Sequence, residues 1–220
     1  MKKYKLRDKY KSYINYDYWT VTEEELQKLR ESNDSSDKCI VASFEQEKDL
    51  DRLVHDKDPK VRSYVAFTGK DKYLSILVND SNEKIREIVA HQGRDEDLDI
   101  LVHDPDWKVR AIVAECGRDK DLDILVKDKV ASVRKAVAKQ GRDRDLDVLV
   151  HDKIVSVRRG VAIFGRDKDL DILVHDKAIS VRQSVAKHGR PKDLEILIKD
   201  DHVSVSYPAH IRYWKQQDDY

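Results

Sequence analysis

Cysteine is nearly absent. Cys39 and Cys116 are the only two in 220 residues, too few and too far apart for a disulfide framework, and neither belongs to a CxxC pair. A reducing compartment fits that usage. An excess of one charge is missing as well: 43 Lys and Arg balance 43 Asp and Glu. No global field therefore draws the chain toward nucleic acid or an anionic membrane, and electrostatic recognition has to come from local patches. No apolar run approaches the roughly 18 residues that span a bilayer, and the opening MKKYKLRDKYKSY has no apolar stretch after its basic residues. A soluble, cytoplasmic protein without membrane association is expected. Phosphate loops, nucleophile motifs and paired carboxylates outside repeating columns are lacking too.

What is present is a repeat. Gly69, Gly93, Gly117, Gly141, Gly165 and Gly189 stand 24 residues apart, a regularity that marks stacked structural units. One unit runs GRDEDLDILVHDPDWKVRAIVAEC from Gly93 to Cys116. The first leucine of each unit falls at Leu26, Leu50, Leu74, Leu98, Leu122, Leu146, Leu170 and Leu194. The array therefore spans residues 22–206, between a basic, aromatic arm at 1–21 and an aromatic cap at 207–220.

Each unit reads as two helical segments. The Leu-x-x-Leu-Val group is long enough for one or two turns, 3₁₀ or α. The second segment carries Val109, Ile112, Val113 and Cys116, the i, i+3, i+4, i+7 stripe of an amphipathic α-helix. Gly117 suits a left-handed helix stop, with Asp119 and Asp121 capping and charge-complementing the next start. No unit alternates like a strand. A unit this short cannot bury its own stripe, so neighbours have to stack into one continuous core.

Polar residues repeat too. Asp56, Asp80, Asp104, Asp128, Asp152 and Asp176 precede Arg62, Arg86, Arg110, Arg134, Arg158 and Arg182 by six residues. A phosphate-binding ladder is one reading. The preferred one is structural: the aspartate accepts from an arginine of its own or the next repeat and fixes the stacking. The pattern is expected to fail at the ends, where Lys38 and Ser206 replace arginine.

With Leu-x-x-Leu-Val-x-Asp-x-x-x-x-Val-Arg-x-x-Val-Ala-x-x-Gly in hand, the chain resembles a shortened HEAT-like repeat, close to the leucine-rich-repeat-variant type. The resemblance implies an all-α fold, a right-handed α-solenoid or superhelix of about eight two-helix repeats of 24 residues. It implies a scaffold more than any one activity. Some members of the variant family hold a cysteine-ligated iron–sulfur cluster, but this chain lacks the cysteines, so no cofactor is expected. His55, His103, His151 and His175 share a column, but copies a helix spacing apart cannot reach one ion, so no metal is expected either.

Columns that stacking does not dictate are free to serve a partner. On the outward face of the second helix, charge drifts from Ser63, Glu87 and Ala111 to Lys135, Arg159 and Gln183, and from Phe67, His91 and Glu115 to Lys139, Ile163 and Lys187. Lys135, Lys139, Arg159 and Lys187 form one basic patch on the concave face, with Gly160 and Ser184 leaving room for a ligand; ordinary solubilising lysines are the alternative. In the inter-helix turn, Asp58 with Pro59, Asn82 with Glu83 and Asp106 with Trp107 give way to Val130 with Ala131, Ile154 with Val155 and Ala178 with Ile179. An apolar ridge in a turn calls for a partner or for local packing, with Ser132, Ser156 and Ser180 as caps of the following helix. At the N-terminal end, Thr22 and Glu25 form a capping box. The aromatic ends either cover the terminal cores or, with their lysines, grip a partner.

The favoured reading is a non-enzymatic scaffold binding a protein through Trp107, Lys135, Lys139, Ile154, Val155, Arg159, Ile179 and Lys187, with oligomeric state left open. The alternatives are nucleic-acid binding through the basic patch and arm, and a HEAT-like DNA-glycosylase type of enzyme.

Overall fold

The computed structural model of the chain describes residues 3–7 and 20–218, the last three by backbone alone. Residues group into two compact units, Met1–Leu101 and Val102–Tyr220. In the first, β1 (Lys3–Lys5) pairs antiparallel with β2 (Thr20–Thr22). There follow α1 (Glu23–Glu31), α2 (Ser35–Ser43), α3 (Glu47–Leu53), α4 (Pro59–Phe67), α5 (Asp71–Leu77), α6 (Glu83–Gln92) and α7 (Asp95–Leu101). The second unit holds α8 (Trp107–Cys116), α9 (Asp119–Leu125), α10 (Ala131–Lys139), α11 (Asp143–Leu149) and α12 (Val155–Phe164). It continues with α13 (Asp167–Leu173), α14 (Ile179–His188), α15 (Pro191–Leu197) and α16 (Val203–Asp218). Apart from the β1–β2 pair, each unit is a helical solenoid, and from α2 onward long and short helices alternate. The arm residues Lys9, Tyr10, Tyr13, Tyr16, Tyr18 and Trp19 lie outside the described residues.

Local sequence explains the elements. Thr22 Oγ1 accepts from the Glu25 N–H at 3.3 Å while Glu25 Oε2 accepts from the Thr22 N–H at 2.7 Å, which closes the capping box that opens α1. The short helices are α-helical over seven residues. In α9 the Val126 N–H reaches Leu122 O at 2.9 Å, and 3₁₀ spacing is confined to the ends, as in Asp128 N–H to Leu125 O at 3.0 Å.

The buried columns are Leu122 and Leu125 on the short helix and Val133, Val137 and Ala138 on the long one, and their counterparts recur in copy after copy. Each such Leu or Val stabilises the stack by roughly 1.5–3 kcal/mol. The expected stripe shifts by one position. In α8, Val109, Val113 and Ala114 are buried, whereas Ile112 is half-buried and Cys116 exposed. Arg110 takes up the second column of the buried face.

Within each unit the long helices pack on one another, α2 on α4 and α4 on α6, then α8 through α16 in even-numbered order, while the short helices mainly meet the long ones beside them. Two arginine ladders tie the copies. In the first, Arg110 Nε and Nη2 donate to Asp128 Oδ2 and Oδ1 at 2.6 and 3.1 Å, and Nη1 donates to Asp104 O at 2.6 Å. One guanidinium thus closes its own turn and grips the next. The aspartate is served from the preceding copy, not from its own or the following one. Arg62, Arg134, Arg158 and Arg182 repeat the contact with Asp80, Asp152, Asp176 and Asp200. The first copy keeps the ladder, contrary to expectation, because Lys38 Nζ reaches Asp56 at 2.9 Å.

The second ladder runs along the other turn. Arg142 pairs bidentately with buried Asp145 three residues on, both bonds 2.7 Å, and reaches back to Asp123 at 2.7 Å and to the Asp119 carbonyl at 2.8 Å. Arg166 and Arg190 bind Asp169 and Asp193 likewise. Asp121 lies in the first turn of α9, as expected, but it is buried, and Arg118 Nε donates to it at 2.6 Å. These bonds staple short helices whose own apolar contact is small.

The glycines do two jobs. Gly69, Gly93, Gly117 and Gly141 sit at φ +71 to +75°, the left-handed stop expected. Gly165 and Gly189 are extended instead, φ −79 and −71°. There a Cβ would stand 2.4 and 2.6 Å from the carbonyl oxygens of Val161 and Val185, so glycine is held by space, not by φ.

Candidate functional site

All eight candidate residues lie in the Val102–Tyr220 unit. Trp107, Val155 and Ile179 are the first residues of α8, α12 and α14, not turn residues, and Ile154 is the cap position of α12. Four residues on stand Lys135 and Arg159; eight on from Ala131 and Ile179 stand Lys139 and Lys187. Spacings of i, i+4 and i+8 share one helix face. The apolar ridge and the basic patch are therefore one surface, apolar where the long helices begin and charged toward their ends. Trp107, Ile154 and Ile179 are 40, 39 and 38% exposed.

The cap positions show what this surface costs the fold. In the early copies Asp58, Asn82 and Asp106 accept from the N–H groups of Lys60, Lys84 and Lys108 at 2.7–2.8 Å. Val130, Ile154 and Ala178 at the equivalent positions make no side-chain cap. An absent cap forgoes about 0.5–2 kcal/mol. Ser132, Ser156 and Ser180 do not replace it, since each lies at the second position inside its helix.

The basic patch is interrupted. Lys139 Nζ lies 3.5 Å from Glu115 Oε1. Gly160 and Ser184 open no space for a ligand, as both are buried. A Cβ on Gly160 would meet Lys135 Cγ at 3.2 Å, so the glycine admits the stem of a lysine from the neighbouring helix. Between α8, α10 and the end of α12 lies an open hollow of about 480 Å³, with Ala111 and Ala136 in its lining, Lys135, Lys139 and Glu115 around it, and the half-exposed Ile163 and Phe164 at one side. Phe164 escaped the sequence reading; its signal is an aromatic in the column of Gln92, Cys116, Gln140 and His188. Ile124, Val148, Ile172 and Ile196, exposed on the short helices, form a second column that went unread. Ile124 lines the hollow that also holds Arg110 and Asp128.

Burial pushes the Cys39 thiol up to about 11 and raises that of Cys116, the reverse of an activated thiolate. The ladder arginines are paired with carboxylates. His55, His103, His151 and His175 are exposed, one to a copy. Among the described residues no group of three or more His, Cys, Asp or Glu is placed to hold a metal ion. Nor is any described helix long and apolar enough to cross a membrane.

With this geometry the chain is similar to a solved structure described as a leucine-rich repeat variant with a novel repetitive structural motif. Identity is 29%, the match covers 85% of this chain and 79% of that one, and the TM-score is 0.72. The chain shares the helical-repeat fold of that leucine-rich repeat variant. Two engineered proteins known from crystal structures match at 16 and 17% identity over 93 and 88% of this chain and 98 and 90% of theirs. Their TM-scores are 0.30 and 0.26. No protein-family model and no curated protein matches the chain. A shared fold does not fix function, which lies in the surface residues.

Proposed function

We propose that the chain is a non-enzymatic scaffold that binds a protein partner through the outward face of α8, α10, α12 and α14. The observation that supports this reading is the trade at the cap positions: Ile154 with Val155, and Ala178 with Ile179, stand where the fold itself favours a capping Asp or Asn. Half-exposed apolar side chains that forgo a cap bring the helix little of its own. Trp107 anchors one side, aromatic residues being enriched among those that carry binding energy. Lys135, Lys139, Arg159 and Lys187 form the polar rim and favour an acidic border on the partner.

Binding from native cell extract, compared between the wild-type chain and the pair Ile154→Asp and Ile179→Asp, tests the apolar part. The proposal expects a specific band to disappear with the variant; an unchanged set of bound proteins contradicts it. Heparin and DNA retention across a salt series tests the nucleic-acid alternative, in which affinity falls steeply with salt. Tight, salt-sensitive DNA binding lost in Lys135→Glu with Arg159→Glu would replace the protein-binding reading.

A further inference from the structure

The final long helix departs from those before it. On α16, Val203, Tyr207, Ile211 and Trp214 are 72, 65, 41 and 59% exposed. Spaced i, i+4, i+8 and i+11, they form one apolar stripe. Tyr207 and Trp214 therefore do not cover the core of the last repeat, one of the two roles read from the sequence. The helix is docked by its other side: Val205 and Ala209 are buried, and Arg212 donates to the carbonyls of Ala186 and Gly189 at 2.7 and 3.0 Å. Ser206 stands where a ladder arginine would reach a further copy, and its hydroxyl turns back to the His202 carbonyl instead.

We propose that this stripe is a self-association surface, on which α16 of a second copy of this chain packs antiparallel. The pattern is its own complement. With a two-fold axis beside Pro208 and Ala209, Val203 meets Trp214 and Tyr207 meets Ile211 at both ends of the pair. The charges agree: exposed Asp201 lies just before the helix and exposed Lys215 near its end. Antiparallel pairing brings Asp201 of one copy beside Lys215 of the other, twice. Opposed helix dipoles act in the same sense. Such an interface is isologous and closes at two copies. A single helix pair lies at the small end of specific interfaces, so the dimer dissociates on dilution. Val203, Tyr207 and Ile211 continue, one copy on, the columns of Ile179, Gln183 and Lys187, so the stripe adjoins the face proposed for the partner, and oligomeric state tests it separately from partner capture.

Sedimentation velocity of the full chain across roughly 1–300 µM tests it. The wild-type chain is expected to shift from monomer to dimer within that range, and Trp214→Glu to weaken the dimer at least about tenfold. Asp201→Lys and Lys215→Asp, both at exposed sites, are each expected to weaken it, and the double swap to restore it. A chain monomeric throughout overturns the proposal, and so does a double swap no tighter than the single variants. Circular dichroism melts show whether Trp214→Glu folds; if it does not, the three charge variants decide.

Discussion

Arg158 and Asp176, eighteen residues apart, meet in a fork: Nε to Oδ2 at 2.6 Å and Nη2 to Oδ1 at 3.0 Å, while Nη1 holds the Asp152 carbonyl at 2.6 Å. Both side chains are buried. Cutting the fork leaves one charge with little solvent. Arg158→Ala and Asp176→Asn should each lower unfolding free energy by about 1.5–3 kcal/mol. The double variant should cost clearly less than their sum, since the partners share the loss. Urea unfolding of the four proteins measures it, and strict additivity would mean that the fork contributes no coupling.

The cap positions give the opposite sign. Ile154→Asp should restore the bond that Asp106 makes to Lys108, leaving stability unchanged or raised by up to about 1 kcal/mol. The same substitution should remove partner binding. A large loss of thermal stability would show that Ile154 serves the core instead.

Alanine separates the two kinds of glycine. Gly141→Ala puts a side chain at φ +71° with ordinary contacts around it and should cost about 1–2 kcal/mol. Gly165→Ala keeps a common φ but drives its Cβ onto the Val161 carbonyl, 2.4 Å away, and should cost more, roughly 3 kcal/mol. If the Gly141 variant proves the weaker of the two in chemical denaturation, the packing argument at Gly165 fails.

Acid should loosen the first ladder. Loss of solvent pushes the Asp128, Asp152 and Asp176 carboxyls upward, but arginine and the backbone N–H two residues on outweigh it and hold all three below the usual carboxylate range. A lowered folded value stabilises the protein above the unfolded value of about 3.9, and the gain is lost as pH falls through the folded value. Stability should therefore drop below about pH 4. Urea midpoints taken from pH 6 to pH 3 check this, with Asp152→Asn showing the shallower fall.

Much of this was legible beforehand. Glycine spacing and the Leu and Val columns announce the stack, and the Asp and Arg columns announce a ladder. Its direction was not readable, because residues six and eighteen apart fit a column equally well until the copies are placed. Asp121 carries a related ambiguity: an acid in a first turn suits the helix dipole as well as it suits Arg118. Ridge and patch look separate in the sequence because Val155 and Ile179 directly follow turn residues, whereas each opens a helix and faces the same way as Arg159 and Lys187.

The carboxylates of Asp56, Asp80, Asp104, Asp128, Asp152, Asp176 and Asp200 all take the N–H two residues on. That bond ignores the side chain of its donor, and the donors are Asp58, Asn82, Asp106, Val130, Ile154, Ala178 and His202. Shape is guarded by one residue and identity surrendered by its neighbour. Side chains of very different chemistry can accordingly fill this column one copy at a time, with the bond that holds the turn untouched.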